Sequence, residues 1–346
     1  MFNQEPIQMK MNFKTVSSLW IKDKRQYVRQ STAAAYSFIL NRYLLPNFGD
    51  KESLTEEDAQ LVVLNAFERG LSKNYIKGMI NVLRMVLRYG TKIGFDADPQ
   101  MELHLQKEVQ SHRVMAFSAK DQNVLINYLR ANFVRKNIGI YMGLAFGLRI
   151  GEVCALKWQD MDFENGLISI RSTVQRICLD DNAGRRTGIV VGLPKSLSSI
   201  REIPMTREFA QLLRPLVNNT EPDCYVLSGT TSPIEPRVYR NHYKTLLRTL
   251  GLPDVRFHGL RHSFATRCID GRCDYKTVSS ILGHTSINTT LNMYVHPNVD
   301  QKRECLEKMS GILDGENVSP NTPATPGSHP RGNGLPSFQM TVPDWP

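Results

Sequence analysis

Apolar residues recur every three or four positions through the first third of the chain, which is the spacing of helices with one buried face. The pattern predicts helices over residues 13–29, 31–45, 56–69 and 73–93, separated by the segments 46–49 and 70–72. Ser31, Thr55 and Ser72 stand at expected N-cap positions, and Asp58 completes a capping-box variant with Thr55. We therefore expect a helical domain over residues 12–105, after a short extension at 1–11.

The pattern from residue 117 onward is again mainly helical, but strand-like runs interrupt it at 167–173, 188–193 and 201–205. These runs predict a three-stranded sheet inserted among the helices, with Lys195 in the turn between its second and third strands. Residues 180–186 are expected to form an earlier loop, in which Arg185 and Arg186 are candidates for phosphate contact or simply for solvation. The predicted fold class is mainly α with a small antiparallel β-sheet (α+β).

Polar and low-complexity stretches mark the remaining boundaries. Residues 106–115 are expected to be a linker, and 116–313 a second domain. Its last segment, 299–313, has Leu306, Met309, Ile312 and Leu313 at the spacing of an amphipathic helix. Residues 314–346 are rich in Pro, Gly, Asn, Ser and Thr, which predicts a disordered tail.

Composition and charge narrow the class of protein. The chain has 346 residues, 41% of them hydrophobic, and a formal net charge of +10. Residues 111–312 hold 27 Lys and Arg against 18 Asp and Glu, so the excess charge suits a polyanionic partner such as DNA. No apolar run approaches the roughly 20 residues of a membrane span, and no signal peptide is recognisable. These features predict a soluble, cytoplasmic protein that does not engage a membrane.

The cysteines add no framework of their own. Cys154, Cys178, Cys224, Cys268, Cys273 and Cys305 are scattered without the spacing of a secreted disulfide domain, so we expect reduced thiols. Cys268, Cys273 and His284 have irregular spacing for zinc and lack a fourth ligand. The sequence therefore predicts neither a metal nor another cofactor.

Six residues whose chemistry suits a reaction on a phosphodiester follow one another in the second domain. They are Arg149, Lys195, His258, Arg261, His284 and Tyr294. Paired arginines offer forked donors to the oxygens of a phosphate under attack, and a phenol needs nearby positive charge and a proton acceptor to act as a nucleophile. Each residue alone has an ordinary structural explanation, as a helix-end arginine, a solvated lysine or a satisfied His or Tyr. Their joint occurrence favours catalysis. No cluster of Asp and Glu with metal-ligand spacing accompanies them, so the sequence gives no indication of metal-assisted attack by water.

These residues, within the strings GLRIGE, PKS, HGLRHSFAT, LGH and NMYV, resemble the catalytic constellation of the tyrosine recombinase (phage integrase) family. The resemblance implies that Arg149 and Arg261 bind the scissile phosphate, and that Lys195 protonates the leaving hydroxyl. It further implies that His258 and His284 assist proton transfer and that Tyr294 forms a 3′-phosphotyrosyl bond. Glu152 matches the family's acidic position and is expected to orient Arg149. Some members carry Trp at the position of His284.

The helical domain in turn resembles the small core-binding (SAM-like) DNA-binding domain of the family. The two domains of such an enzyme close as a clamp around a duplex. Exposed residues of the helical domain are then candidates for DNA contact: Lys22, Lys24, Arg25, Lys73, Asn74, Tyr75 and Lys77. A charged helix face that is merely solvated explains the same residues.

The resemblance implies a site-specific recombinase that integrates and excises a mobile element, as a homotetramer on double-stranded DNA recombination sites. A directionality or host accessory factor is a further partner to expect, and the terminal helix is expected to dock on its own protomer or on a neighbour. Three other functions remain open at this point: a chromosome-dimer resolving recombinase, a DNA-relaxing enzyme of the type IB topoisomerase kind, and a catalytically silent DNA-binding regulator. Recognition of the target sequence depends on groove contacts and on DNA shape.

Overall fold

The structure is a computed structural model that describes residues 11–105, 116–181, 184–194, 196–217 and 220–294, together with the short stretches 302–303, 306–307 and 309–310. Residues up to 294 belong to one compact unit and the short stretches to a second. The first unit combines helices with small antiparallel sheets, which confirms the expected fold class. The predicted linker at 106–115 and the tail at 314–346 lie outside the described residues, and the domain boundaries stay predictions.

The N-terminal part of the first unit is helical. Its helices are α1 (Phe13–Lys24), α2 (Gln30–Ile39), a π-helical turn (Leu40–Leu44), α3 (Leu45–Phe48), α4 (Glu56–Glu68) and α5 (Lys73–Lys92). Two short strands, β1 (Ser53–Leu54) and β2 (Asp96–Ala97), pair in parallel. The apolar face of α5 packs on α1, so that Ile76, Leu83 and Val86 join Phe13 and Trp20 in one buried cluster.

Local signals predicted some of these helix ends and missed others. The Thr55 side chain caps α4 in a capping box with Asp58, and the Ser72 hydroxyl accepts from the Tyr75 N–H at the start of α5, as expected. Helix α1 ends at Lys24 rather than near residue 29. Ser31 is not an N-cap, because α2 begins one residue earlier, after the extended backbone of Arg29.

Residues 46–49 do not separate two helices as predicted. Pro46 has no N–H to donate, so it is tolerated only where the helical hydrogen bonding changes. The chain makes that change through the π-helical turn, where the Leu45 N–H donates to the Leu40 carbonyl, and Pro46 then lies in the first turn of α3. The helical path thus continues to Phe48.

The second part of the unit contains further helices around a separate buried core. They are α6 (Ala119–Ala131), α7 (Arg135–Ala145), α8 (Ile150–Ala155), α9 (Arg207–Val217), α10 (Pro236–Thr249), α11 (Phe257–Asp270), α12 (Tyr275–Leu282) and α13 (Ile287–Tyr294), with short 3-10 turns at Trp158–Asp160 and Leu197–Ser199. Helix α7 is buried from Asn137 to Leu144, and α11 packs directly on it, with Phe257 and Leu260 close to Gly143. These central helices fix the two segments that carry Arg149 and Arg261.

The described strands of this second part form two antiparallel sheets rather than one. A three-stranded sheet has the order β3 (Met161–Asp162), β4 (Leu167–Ile170) and β7 (Arg201–Pro204). The predicted strand at 188–193 belongs instead to a separate hairpin, in which β5 (Thr173–Asp181) pairs with β6 (Gly184–Gly192). The membership of the predicted sheet was therefore wrong: β3 takes the place given to residues 188–193.

The hairpin also replaces most of the loop expected at 180–186. Arg185 and Arg186 lie on β6, with their Cα atoms opposite Asp180 and Leu179 of β5. Polar residues and glycine at these positions favoured a loop in the sequence. Backbone pairing between the strands continues through them instead. The side chains of both arginines lie outside the described part of the chain.

The hairpin packs against the N-terminal helices. Strand β5 lies along α2, and the Arg29 guanidinium donates from Nη1 to the carbonyl oxygens of Pro194 at 2.7 Å and Leu193 at 3.3 Å. Arg29 therefore joins the start of α2 to the segment just before residue 195.

The second unit is described only at a few positions. Residues 302–303, 306–307 and 309–310 are helical, within the range of the predicted terminal helix, and Leu306 and Met309 are exposed. Ile312 and Leu313 lie outside the described residues. None of the helices in the described ranges combines the length and hydrophobicity that crossing a membrane requires.

Candidate active site

Arg149 stands at a sharp turn between α7 and α8. Gly147 in this turn has a φ of +67°, and a Cβ atom at this position would lie 2.6 Å from Leu282 Cδ2 and 2.8 Å from Phe264 Cδ1. Glycine alone avoids both the left-handed strain and the contact. The turn leaves Arg149 extended at the N-cap of α8, with about a third of its side chain exposed.

The buried carboxylate of Glu152 holds Arg149 in place. The carboxylate is 2% exposed and accepts from Arg149 Nη1 at 2.7 Å and from the Arg149 backbone N–H at 2.9 Å. Its other partner is Arg201, whose Nη1 and Nη2 donate to the two carboxylate oxygens at 3.2 and 3.1 Å. Burial would raise the pKa of Glu152, but the charges and hydrogen bonds of Arg201 and Arg149 lower it below its usual value. The carboxylate is therefore ionised at neutral pH.

Arg261 approaches the same turn from α11. Its side chain is 1% exposed, and Nη1 donates to the Gly147 carbonyl oxygen at 3.0 Å. The positive charge of Arg261 is one cause of the lowered pKa of His258 and of His284. The two arginines of the predicted pair therefore converge on one turn.

His258 lies in the first turn of α11, one helical turn before Arg261. Its ring meets the His262 ring edge-on, with centroids 4.7 Å apart, and one side of the residue remains open to solvent. Lost hydration on the packed side, together with the charges of His262, Arg261 and Arg149, lowers the pKa of His258 to about 4. The imidazole is neutral at pH 7 and so has a nitrogen that can accept a proton.

His284 follows the left-handed residue Gly283, which ends α12 with a φ of +64°. Its Nδ1 lies 2.8 Å from Oγ1 of Thr290, which is fully buried in α13. Partial burial and the charges of Arg261, Arg149, His258 and Arg201 lower the pKa of His284 to about 4. The charges of both arginines therefore act on both histidines.

A cavity of about 450 Å³ opens beside these groups. Arg149, Glu152, Gln175, Ser199, His284 and Thr289 are among the residues that line it. Pro194 and Ser196 line it as well, and they are the chain neighbours of Lys195, which itself lies outside the described residues.

Tyr294 is the last residue of α13. Helix α13 packs on α11 and α12, and Thr290 of α13 bonds to His284. The backbone of Tyr294 therefore lies one helical turn beyond Thr290. The Tyr294 side chain lies outside the described part of the chain.

The predicted DNA-contacting residues of the N-terminal part lie at two helix ends. Lys22 and Lys24 belong to the last turn of α1 and are followed by Arg25, whereas Lys73, Asn74, Tyr75 and Lys77 belong to the start of α5. Lys22, Arg25, Asn74 and Lys77 are exposed. Tyr75 differs, because its ring packs edge-on against Tyr43 with centroids 5.6 Å apart, and burial and Tyr43 raise the pKa of Tyr75 to about 12.

Comparison with known proteins identifies the family of the chain. Residues 116–301 match the model of the phage integrase family, and residues 12–52 match the N-terminal SAM-like domain of phage integrases. The first match spans more than half of the chain. The chain belongs to the phage integrase family. It is a tyrosine recombinase, an enzyme that cuts and rejoins DNA strands at specific sites.

Individual relatives of this recombinase have low sequence identity to it but align with most of the chain. A XerC-like tyrosine recombinase of Caldanaerobacter subterraneus subsp. tengcongensis is 24% identical over 276 residues, covering 71% of this chain and 68% of the relative. The ICEBs1 integrase of Bacillus subtilis is 22% identical over 330 residues, covering 88% and 84%. The solved structure of the Tn1549 transposon integrase in complex with transposon right end DNA has a TM-score of 0.70 at 21% identity, covering 87% of this chain and 100% of that one. The structural likeness supports the fold of the recombinase.

The structure also adds residues that the sequence did not suggest as part of the site. Arg201 contacts Glu152, His262 contacts the His258 ring, and Thr290 bonds to His284. His262 could have been found, because it lies four residues after His258 on one helix face. Arg201 could not, because Glu152 and Ile281, which it contacts, are 49 and 80 residues away along the chain.

Proposed function

We propose that this recombinase cleaves DNA by direct attack of the Tyr294 phenol oxygen on the scissile phosphorus. As the Oη–P bond forms, the P–O5′ bond breaks, which leaves a 3′-phosphotyrosyl bond and a 5′-hydroxyl. In the second step a 5′-hydroxyl from the partner strand attacks the same phosphorus and releases the tyrosine. Each step exchanges one phosphoester for another, so the reaction needs no ATP and no water.

The convergence of Arg149, Arg261, His258 and His284 carries this proposal. Arg149 and His284 line one cavity, and Arg261 bonds to the turn that presents Arg149. The charges of both arginines act on His258 and on His284. The two arginines bind the non-bridging oxygens and stabilise the charge that develops on them. Glu152 keeps the Arg149 fork in place for this contact. Neutral His258 accepts the phenol proton, and His284, held by Thr290, donates a hydrogen bond to a phosphate oxygen.

Lys195 is proposed as the acid that protonates the departing O5′ atom. Cations lower the pKa of a neighbouring lysine amine, which makes it a better proton donor at neutral pH. The placement of Pro194 and Ser196 beside Arg149 and His284 supports this role.

The N-terminal helices are proposed to hold the other face of the duplex. Contacts to the phosphates of the DNA backbone supply most of the sequence-independent affinity. The residues proposed to make them are Lys22, Lys24, Arg25, Lys73, Asn74 and Lys77. Arg185 and Arg186 on the hairpin are proposed for the same kind of contact. Tyr75 stays a weaker candidate, because its packing on Tyr43 provides a structural reason for its presence.

Strand exchange between two duplexes sets the proposed assembly. Each site has two strands to cleave, and each cleavage uses one tyrosine, so two sites require four protomers. We propose a homotetramer on two recombination sites. We also propose that a directionality or host accessory factor takes part. If it does, the purified enzyme should cleave its sites but yield recombinants only after host extract is added.

Integration and excision of a mobile element is the proposed role. The ICEBs1 integrase, covered over 84% of its length, and the Tn1549 transposon integrase, covered over 100% of its solved chain, support it. The XerC-like relative, at 24% identity, supports chromosome-dimer resolution as the second candidate. The identity of the DNA site decides between the two.

A covalent trap tests the proposal and finds the site. The full chain is incubated with a sheared library of host and element DNA, denatured in detergent, and the DNA that remains attached is sequenced. Tyr294→Phe is the test variant, and Tyr275→Phe is the matched control because Tyr275 is an exposed tyrosine on α12. We expect adducts with wild type and Tyr275→Phe but none with Tyr294→Phe.

The captured sequence then separates the roles. Adducts at the element ends support integration, whereas adducts at one chromosomal repeat support dimer resolution. Supercoil relaxation without recombinant products favours topoisomerase-like activity. Specific binding without adducts from any variant contradicts the proposed chemistry and favours a silent regulator.

A further inference from the structure

Arg201 connects three segments of the recombinase active site. Its side chain is 6% exposed, near the start of β7. The guanidinium donates to both carboxylate oxygens of Glu152 at 3.2 and 3.1 Å, to the Ile281 carbonyl at 2.5 Å and to the Ser199 carbonyl at 2.9 Å. The forked geometry of arginine makes this set of contacts possible, and a lysine amine cannot reproduce it.

The acceptors of Arg201 lie directly beneath the proposed catalytic groups. Glu152 holds the Arg149 fork, and Ile281 lies in the last turn of α12, just before Gly283 and His284. Arg149 Nη2 donates to the Gly283 carbonyl at 3.3 Å, which closes the network. A shift of Arg201 would therefore move both the arginine and the histidine sides of the site.

The charges of this network matter as much as its geometry. Glu152 is a buried carboxylate between two guanidinium groups, Arg149 and Arg201. With both arginines present, the group of three retains one net positive charge. Without Arg201, Arg149 and Glu152 form a neutral pair, and an ion pair attracts a phosphate less strongly than a net cation does.

We propose that Arg201 is a positioning residue for strand cleavage: it neutralises and fixes Glu152, so that Arg149 keeps a net positive charge for the scissile phosphate beside His284. This inference rests on the proposed function, in which Arg149 binds a non-bridging phosphate oxygen. It adds a residue that acts on DNA only through Glu152 and the Gly283–His284 turn.

A methylphosphonate substrate distinguishes this role from simple support of the fold. Replacing one non-bridging oxygen of the scissile phosphate by a methyl group removes its negative charge. An enzyme that has lost positive charge at the phosphate is then impaired less, because less negative charge needs stabilisation. An enzyme whose site is merely distorted is impaired on both substrates alike.

The experiment compares single-turnover cleavage by the full chain on phosphate and methylphosphonate versions of its site. We expect Arg201→Met to lose about 100-fold in rate on the phosphate substrate, the lower range for loss of one charge-stabilising donor, and clearly less on methylphosphonate relative to wild type. Arg201→Lys should recover part of the loss, since it restores charge without the fork. Arg130→Met is the control, because Arg130 forms an exposed ion pair with Glu208. This variant should cleave at the wild-type rate.

The double variant Glu152→Gln/Arg201→Met provides the second measurement. It removes one negative and one positive group together, so Arg149 again carries an uncompensated charge. We expect it to cleave the phosphate substrate at least tenfold faster than Arg201→Met alone, even where the single variant is poorly folded. Equal losses on both substrates, or a double variant no better than the single one, would overturn the inference. Failure of wild type to form an adduct would instead count against the proposed function.

Discussion

The guanidinium Nη1 of Arg261 lies 3.0 Å from the carbonyl oxygen of Gly147, so α11 is joined directly to the turn that presents Arg149. The relationship depends on a left-handed glycine, since Gly147 has a φ of +67°. One backbone carbonyl thus sets the spacing between the two arginines proposed to bind a single phosphate.

Gly147→Ala should impair both stability and cleavage. A left-handed alanine costs about 1–2 kcal/mol, and its Cβ would lie 2.6 Å from Leu282 Cδ2, which adds a packing penalty of about 1–3 kcal/mol. We expect a lower unfolding midpoint in urea and at least tenfold slower cleavage, because the turn must shift Arg149 relative to Arg261.

Gly166→Ala is the matched control for this substitution. Gly166 has a φ of +66°, but a Cβ there meets no atom within 4 Å, and the residue lies in the turn between β3 and β4. It should show the backbone penalty alone and cleave at the wild-type rate. Equal cleavage by both variants would show that the Gly147 turn does not position Arg149.

Acid should destabilise the folded recombinase over a defined pH window. The pKa of His258 and of His284 is about 4 in the folded protein, against the ordinary value of 6.5. Between these values the unfolded chain binds protons that the folded chain does not, so the free energy of unfolding falls as the pH drops from about 6.5 to 4. Urea unfolding at several pH values measures the slope, which should be smaller in His258→Asn/His284→Asn; an unchanged slope would contradict the lowered pKa values.

DNA binding should be linked to proton uptake through His284. A phosphate placed beside the ring favours the imidazolium form and raises its pKa, so affinity for site DNA should rise as the pH falls from 7 to 5. Fluorescence anisotropy at fixed salt measures this, since salt changes affinity strongly on its own. His284→Asn should weaken the pH dependence. His242→Asn is the control: burial also lowers the pKa of His242, but its Nε2 lies against Asn137 Oδ1, at 3.0 Å. Equal effects of both variants would place the phosphate elsewhere.

Arg29→Ala should loosen the contact between the N-terminal helices and the β5–β6 hairpin. The variant loses the hydrogen bonds to the Pro194 and Leu193 carbonyls. Hydrogen exchange should become faster along β6, while Arg69→Ala, an exposed position at the end of α4, should leave it unchanged. Unchanged exchange in Arg29→Ala would show that other contacts hold the hairpin.

The sequence predicted the features that depend on local interactions. Helices α4 and α5 begin where Thr55 and Ser72 indicated, because a cap and the first turn it satisfies are neighbours in the chain. Strand partners were harder to predict, since pairing is not local. The two-residue strand β3 has too few residues to show an alternating pattern, so its place in the three-stranded sheet was given to residues 188–193.

The candidate site shows the same division. Its residue types could be recognised from short strings and from a resemblance to a family. The network around Glu152 could not, because Arg201 is distant in sequence from both Glu152 and Ile281. Likewise, the π-helical turn that accommodates Pro46 has no local signal that distinguishes it from a helix end.

The identity of the residue that carries the DNA tests the central claim most directly. Wild-type recombinase is trapped on its site, the adduct is digested with nuclease and protease, and tandem mass spectrometry locates the remaining nucleotide on the peptide. We predict a nucleotide joined through its 3′-phosphate to Tyr294 in wild type, and no adduct in Tyr294→Phe. A nucleotide on another residue, or an adduct that persists in Tyr294→Phe, would contradict the account.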